Sequence, residues 1–175
     1  DGYVLNGAKM WITNGTMADV AVVWGRLDGG TIRGFLVEKG TKGYTAPEQK
    51  RKYSLRASVT SELILQDVHV SKDAILPNGS GLKAPLGCLT QARYGIAWGV
   101  LGAAMACYHS ALEYAKVRIM FGKPIGSFQL IQGKFADMVT EITKGQLLAL
   151  QVGRLKEQKQ ATPEMISLAK RNNCE

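Results

Sequence analysis

The hydrophobic period of the chain changes once, near residue 80, and that change limits the folds open to it. Before it, apolar residues come in short runs. "YVLNGAKMWIT", "DVAVVWGRL", "TIRGFLVEKG" and "TSELILQDVHV" are rich in Val, Ile, Thr and aromatic residues, the composition of strands. Asn14-Gly15 and Asp28-Gly29-Gly30 punctuate them as turns. The last run alternates through Leu63, Leu65, Val68 and Val70, with a phase slip at Gln66-Asp67 that reads as a bulge. Pro77, Asn78, Gly79, Ser80 and Gly81 read as a linker. Beyond it Leu89, Ala92, Ile96, Val100, Ala103, Cys107 and Ala111 recur at three and four, the spacing of one helix face. That spacing predicts helices over about 85–118 and 128–158. A third begins near Pro163, where Thr162 can cap it. Gly95, Gly99 and Gly102 lie along one side of the first helix; each weakens it by about 1 kcal/mol relative to Ala, so a closely packed neighbouring backbone is expected there. The expected class is α+β: a small antiparallel β-barrel or sandwich over 1–80, then antiparallel helices over 81–175.

A length of 175 residues suits one ordinary domain or two small ones, and 46% hydrophobic residues suffice for a core. The net charge of +8 favours an anionic partner, either nucleic acid or a phosphorylated cofactor. No basic run or nucleic-acid-binding signature is present, so nucleic acid is not expected. Cys88, Cys107 and Cys174 stand far apart and are odd in number. They point to a reducing compartment and away from a disulfide frame or zinc site. His69 and His109 are isolated and read as structural or surface residues. No signal peptide or transmembrane run is visible. Both ends fall inside a pattern, a strand at the start and the helical "ISLAKRNNCE" at the close, which suggests a piece of a longer protein.

Two stretches carry candidate chemistry. In "RIMFGKPIGSFQLIQ", Arg118 ends a helix, Phe121-Gly122 turns the chain and Gln129 starts the next helix. The bland reading is a helix connection with a charged cap. The sharper one is an anion site, because an Arg fork matches a diphosphate and Gln129 can hydrogen-bond a ribose or phosphate group. In "KMWITNG", Trp11 reads either as a core aromatic or as the wall of a pocket.

"R-x-x-F-G-K-P-I-x-x-F-Q" resembles the signature of the acyl-CoA dehydrogenase flavoproteins, and "KMWITNG" resembles that family's flavin-contacting strand. "YSLRAS", "ARYGIAWGVLGAA" and "RNNC" resemble the branch acting on glutaryl-CoA. The motifs run in the family's order across the whole chain. The resemblance implies FAD as cofactor, with Trp11 over one face of the isoalloxazine and the backbone and hydroxyl of Ile12 and Thr13 at its N5/O4 edge. It implies that Arg118, Phe121 and Gln129 serve the adenine-diphosphate end of an FAD held mainly by a neighbouring subunit, hence a homo-oligomer, expected to be a tetramer. It implies that Leu86, Gly87, Cys88, Leu89, Thr90, Gln91, Ala92 and Arg93 line the acyl-CoA channel. Arg93 is the polar anchor there or, in the bland reading, a helix-surface salt bridge. Arg56 can fix a loop beside substrate or cofactor. The helices would belong to an up-and-down four-helix bundle, truncated here.

The implied reaction is oxidative decarboxylation of glutaryl-CoA to crotonyl-CoA and carbon dioxide, with electron-transfer flavoprotein as acceptor, in a bacterial cytoplasm or mitochondrial matrix. Family members remove the α-proton with a glutamate. One family position lies in a "Y-E-G-T" stretch that these residues lack, so the base is expected beyond residue 175. The other, just before Arg93, holds Ala92, which cannot accept a proton. Glu113 and Glu141 read as solvated helix faces. Two alternatives stay open: a dehydrogenase of another short or branched acyl-CoA, and a base-less FAD- or CoA-binding interaction module.

Overall fold

The computed structural model describes residues 2–175, which divide into two compact units, one ending at Pro85 and one beginning at Leu86.

The first unit is antiparallel β. Strands β1 (Gly2–Thr13), β5 (Thr60–Ser71) and β4 (Tyr44–Thr45) form one sheet in the order β1-β5-β4. Strands β2 (Val20–Arg26), β3 (Ile32–Glu38) and β6 (Ile75–Ser80) form the other in the order β2-β3-β6. The sheets are not hydrogen-bonded to each other, so the unit is a sandwich and not a closed barrel. Val23 and Val37 from one sheet meet Leu63, Leu65 and Val68 from the other, all essentially without solvent contact. Each such side chain contributes about 1.5–3 kcal/mol on burial.

The phase slip in β5 is a bulge. Leu5 pairs with Val68 but Gly7 pairs with Leu65, so Asn6 faces both Gln66 and Asp67. Asp67 is left-handed at φ 49°, and Asn6 clasps it through both the Asp67 backbone N–H (2.8 Å) and its carboxylate (3.0 Å).

The expected linker over 77–81 is corrected in part. Residues up to Ser80 belong to β6, which pairs with β3 through Arg33↔Ser80 and Phe35↔Ile75. Pro77 is tolerated because β6 is an edge strand. Gly79 lies under the Trp24 ring, and the Arg33 guanidinium donates to the Leu76 carbonyl at 3.1 Å.

The second unit is helical. Helices α1 (Lys83–Val117), α2 (Gln129–Glu157) and α3 (Pro163–Cys174) pack antiparallel in turn. Gln91 meets Lys156, Tyr94 meets Ala149, and Leu101 meets Gly145 as α1 and α2 run in opposite directions. Asn173 of α3 donates to the Ala97 carbonyl (2.9 Å) and the Gly145 carbonyl (3.3 Å), clasping all three helices.

Two expectations for α1 are overturned. The buried stripe is Ala97, Leu101 and Ala115, with Tyr94, Ala104, Tyr108 and Leu112 half-buried between them. Of the stripe expected from periodicity, only Val100 is half-buried; Leu89, Ala92, Ile96, Ala103, Cys107 and Ala111 are exposed. The helix is apolar on more than one face, so its period alone does not say which face α2 and α3 cover. Gly95, Gly99 and Gly102 lie on uncovered surface, and a Cβ there would meet nothing within 4 Å. The glycines that do accept a close neighbour are on α2: Gly145 faces Leu101 and Asn173, and Gly153 faces the Tyr94 hydroxyl. With a mean hydropathy of 1.2 over its most apolar window, α1 is long and apolar enough to cross a membrane by length and composition alone, a feature that inspection for apolar runs missed.

Candidate functional site

Trp11 sits at a second bulge. Lys9 pairs with Leu63 and Ile12 with Ser61, so Met10 and Trp11 together face Glu62. Trp11 has φ 61°, the left-handed region, where a bulky residue costs on the order of 1–3 kcal/mol. Its side chain is 65% exposed, which rules out a core aromatic. Ile12 turns inward and packs on the sandwich core. Thr13 turns outward, and its hydroxyl has no partner among the described residues. The strained bulge therefore splits three consecutive residues into an exposed indole, a core anchor and a free hydroxyl. Ile12 and Thr13 also line a cleft of about 320 Å³ with Lys9, Gly15, Val22 and Trp24.

The turn after Thr13 is fixed tightly. Asn14 is left-handed (φ 60°), its N–H donates to the Val59 carbonyl at 2.9 Å, and its carbonyl accepts from Met17 and Ala18. Gly15 is required because a Cβ would lie 2.8 Å from a Leu63 methyl. Neighbouring loop 51–58 is anchored by Lys52, whose ammonium donates to the carbonyls of Leu55 (2.9 Å) and Ser58 and to the Thr60 hydroxyl (2.7 Å). Arg56 is exposed on that loop and forms no ion pair among the described residues. No sequence signal marked Lys52, since three uncharged oxygens brought together by a loop leave no pattern in spacing.

In the helical unit, residues 86–93 form the opening turns of α1. Leu86, Gly87, Cys88, Leu89 and Ala92 are exposed. Leu86, Leu89 and Arg93 share one helix face. Thr90 donates back to the Leu86 carbonyl at 2.9 Å, and Gln91 accepts from Lys156 of α2 at 2.9 Å, so both are engaged within the unit. Arg93 is half-buried and forms no ion pair among the described residues.

The connection from α1 to α2 is a two-strand hairpin of β7 (Ile119–Met120) and β8 (Lys123–Pro124). Phe121 (φ 51°) and Gly122 (φ 76°) are both left-handed, the signature of a tight primed turn. The turn leaves the Phe121 ring 88% exposed, edge-on to Phe128 with centroids 6.3 Å apart. Lys123 Nζ stands 4.5 Å over the Phe128 ring. Arg118 holds the hairpin closed through its backbone, its carbonyl accepting from Ile125 at 2.8 Å, while its guanidinium is exposed and has no partner among the described residues. Gln129 is the exposed first residue of α2, whose N-cap, Phe128, supplies no side-chain cap, and the first turn has no acidic residue. Arg118, Lys123 and an uncapped helix N-terminus make this end electropositive, as an anionic phosphate group requires.

The hairpin lies at the far end of α1 from residues 86–93. From Arg93 to the end of the helix is a rise of about 36 Å at ~1.5 Å per residue. One chain therefore does not bring its Arg93 and Arg118 to the same ligand group. The helix-face carboxylates do not resemble a general base. Glu113 is exposed and bonded to Lys116 at 2.6 Å, which holds its carboxyl below the usual range. Glu141 is exposed and paired with Lys144 at 2.7 Å.

Residues 1–68 match the model of the acyl-CoA dehydrogenase middle domain, and residues 79–175 match that of the acyl-CoA dehydrogenase C-terminal domain. The chain belongs to the acyl-CoA dehydrogenase family. Among solved structures it is similar to a glutaryl-CoA dehydrogenase from Mycobacterium smegmatis, at 55% identity and TM-score 0.94 over 99% of this chain and 44% of that one. A glutaryl-CoA dehydrogenase from the same organism in complex with FADH2 is 53% identical, with TM-score 0.93 over 97% of this chain and 44% of that one. Among curated proteins it is 38% identical to the mitochondrial isovaleryl-CoA dehydrogenase of Arabidopsis thaliana, over 87% of this chain and 39% of the relative. The chain thus spans less than half the length of the relatives it matches.

Proposed function

We propose that these residues form part of an FAD-dependent acyl-CoA dehydrogenase that oxidatively decarboxylates glutaryl-CoA to crotonyl-CoA and carbon dioxide. The observation that carries the flavin reading is the left-handed bulge at Trp11, which presents an indole face beside the free Thr13 hydroxyl. Such a pair fits an isoalloxazine: the indole covers a ring face, and the hydroxyl donates to the N5/O4 edge. FAD, when bound, supplies the hydride acceptor for the acyl β-carbon. Arg118, with Phe121 and Gln129, binds the adenine-diphosphate end. Leu86, Gly87, Cys88, Leu89, Thr90, Gln91, Ala92 and Arg93 border the acyl-CoA channel. Residues 1–80 then act as the flavin- and acyl-CoA-contacting domain and 81–175 as the start of the C-terminal bundle.

The family resemblance supports FAD pockets shared between subunits, hence a homo-oligomer, with a tetramer as the expected size. Electron-transfer flavoprotein is the proposed acceptor, in a mitochondrial matrix or bacterial cytoplasm. The general base lies outside these residues, since Ala92 holds the one family position within them. Glutaryl-CoA is favoured by identities of 55% and 53% to glutaryl-CoA dehydrogenases. The isovaleryl-CoA dehydrogenase relative, at 38%, supports a short or branched acyl-CoA as the second reading.

Replacing Arg118 tests the assignment. In the FAD-loaded full-length protein, Arg118→Ala should weaken FAD retention by about 1.5–3 kcal/mol, the worth of a charge-assisted contact. Acyl-chain preference should stay unchanged. Altered preference with unchanged flavin affinity would contradict the assignment.

A further inference from the structure

The buried polar pair at the start of β5 has no part in the contacts assigned above to substrate or cofactor. Thr60 and Ser61 are the buried polar residues among those described, and Ser61 is fully enclosed. They lie opposite the proposed flavin-facing strand: Ile12 pairs with Ser61 and Thr13 with Thr60. Ser61 also reaches past that strand to the turn beyond it. Its Oγ accepts from the Thr16 backbone N–H at 2.8 Å, and the two hydroxyls lie 2.8 Å apart. The Thr16 hydroxyl in turn donates to the Ala46 carbonyl at 2.8 Å. One proton arrangement satisfies all of these: Thr16 N–H to Ser61 Oγ, Ser61 O–H to Thr16 Oγ1, Thr16 O–H to Ala46 O.

Ser61 therefore pins both ends of the 12–16 segment, its main chain holding Ile12 and its side chain holding Thr16. This bears on Trp11 because the bulge interrupts the β1–β5 register between Lys9 and Ile12. A strand end that slips by one residue turns every side chain to the opposite face. Such a slip would take Trp11 and Thr13 off their present side and push Ile12 out of the core. Gly15 allows the turn to sit close against Ser61, since a Cβ there would lie 2.9 Å from the Ser61 Cβ.

We propose that Ser61 and Thr16 are positioning residues: their hydroxyl chain is a staple that holds Trp11, Ile12 and Thr13 in the bulged register that faces the flavin. The inference rests on the flavin reading above and adds what fixes that strand.

The test uses the FAD-loaded full-length protein and works on exposed Thr16, which avoids cutting into the enclosed Ser61. Thr16→Val keeps the shape and removes the hydroxyl; Thr16→Ser keeps the hydroxyl; Trp11→Ala reports directly on the flavin contact. Amide hydrogen exchange over residues 11–16 and the visible absorption band of bound FAD are both measured. Thr16→Val should speed exchange across that segment by about ten-fold, the effect of losing the part-buried Thr16–Ser61 hydrogen bond. It should also shift the flavin band in the same direction as Trp11→Ala, and Thr16→Ser should restore both. A lower melting temperature with exchange over 11–16 and the flavin band unchanged overturns the proposal. Faster exchange with a flavin band that neither Thr16→Val nor Trp11→Ala moves supports the staple and overturns the flavin reading beneath it.

Discussion

At Gly15 an added methyl group would lie 2.8 Å from a Leu63 methyl and 2.9 Å from the Ser61 Cβ. Both neighbours belong to a packed core, so neither yields cheaply. Gly15→Ala should destabilise the sandwich by about 1–3 kcal/mol, read from urea unfolding. The turn itself was legible as Asn14-Gly15. That it crosses between two sheets, and does not close a hairpin, depends on Val59 and Ser61, far along the chain. Trp11 shows a similar limit. Its motif marked it as a pocket wall or a core aromatic, but periodicity carries no information about the sign of one φ angle. The left-handed bulge is set by the pairing of β1 with β5. Arg118 was legible as a charged residue at a helix end, either a cap or an anion-binding fork, because its neighbours in sequence are also its neighbours in space.

Elements were legible where local composition agrees with tertiary pairing. The four long strands and three helices follow their hydrophobic periods, and the bulge at Gln66-Asp67 shows in the phase slip alone. The sequence misleads where a partner decides. Strand β6 hides behind Pro77 and Gly79 because its pairing with β3 outweighs their propensities. In α1, α2 and α3 cover the face through Ala97 and Leu101, one residue around from the expected stripe. A pair of substitutions separates the two kinds of helix glycine. Gly95→Ala meets nothing within 4 Å and should stabilise the helix by up to about 1 kcal/mol. Gly145→Ala places a Cβ 2.7 Å from a Leu101 methyl and should destabilise despite the better propensity. Thermal unfolding of the two variants should move in opposite directions. At α3, Thr162 accepts from the Met165 N–H, and Thr162→Ala should cost about 1 kcal/mol by the same measurement. Hydrogen bonds from the Thr162 hydroxyl and its own backbone N–H hold the Glu164 carboxyl below its usual range. Because the folded value is depressed, this small surface contribution is present above the unfolded carboxylate pKa and is lost as pH falls through the folded one. Thr162→Ala should therefore also remove part of the acid sensitivity of the α3 helix signal.

For the whole molecule, the proposed function gives the chain a flavin-facing strand, a diphosphate-binding hairpin and a border of the acyl channel, with the α-proton removed by a residue outside it. Glu113 and Glu141 are exposed and paired with lysines, and the Lys116 hydrogen bond holds the Glu113 carboxyl below its usual range, opposite to what a general base needs. The 175-residue chain alone should show no acyl-CoA-dependent dye reduction, whereas the full-length protein should. If the FAD pockets are shared between subunits as proposed, dissociating the FAD-loaded full-length protein into monomers should release FAD. The most direct measurement mixes the FAD-loaded full-length protein with glutaryl-CoA without oxygen and follows the flavin absorption and carbon dioxide together. Rapid bleaching with carbon dioxide release is expected, and slower or absent bleaching with isovaleryl-CoA. A flavin band that no acyl-CoA bleaches, in protein that retains its FAD, would contradict the proposed function.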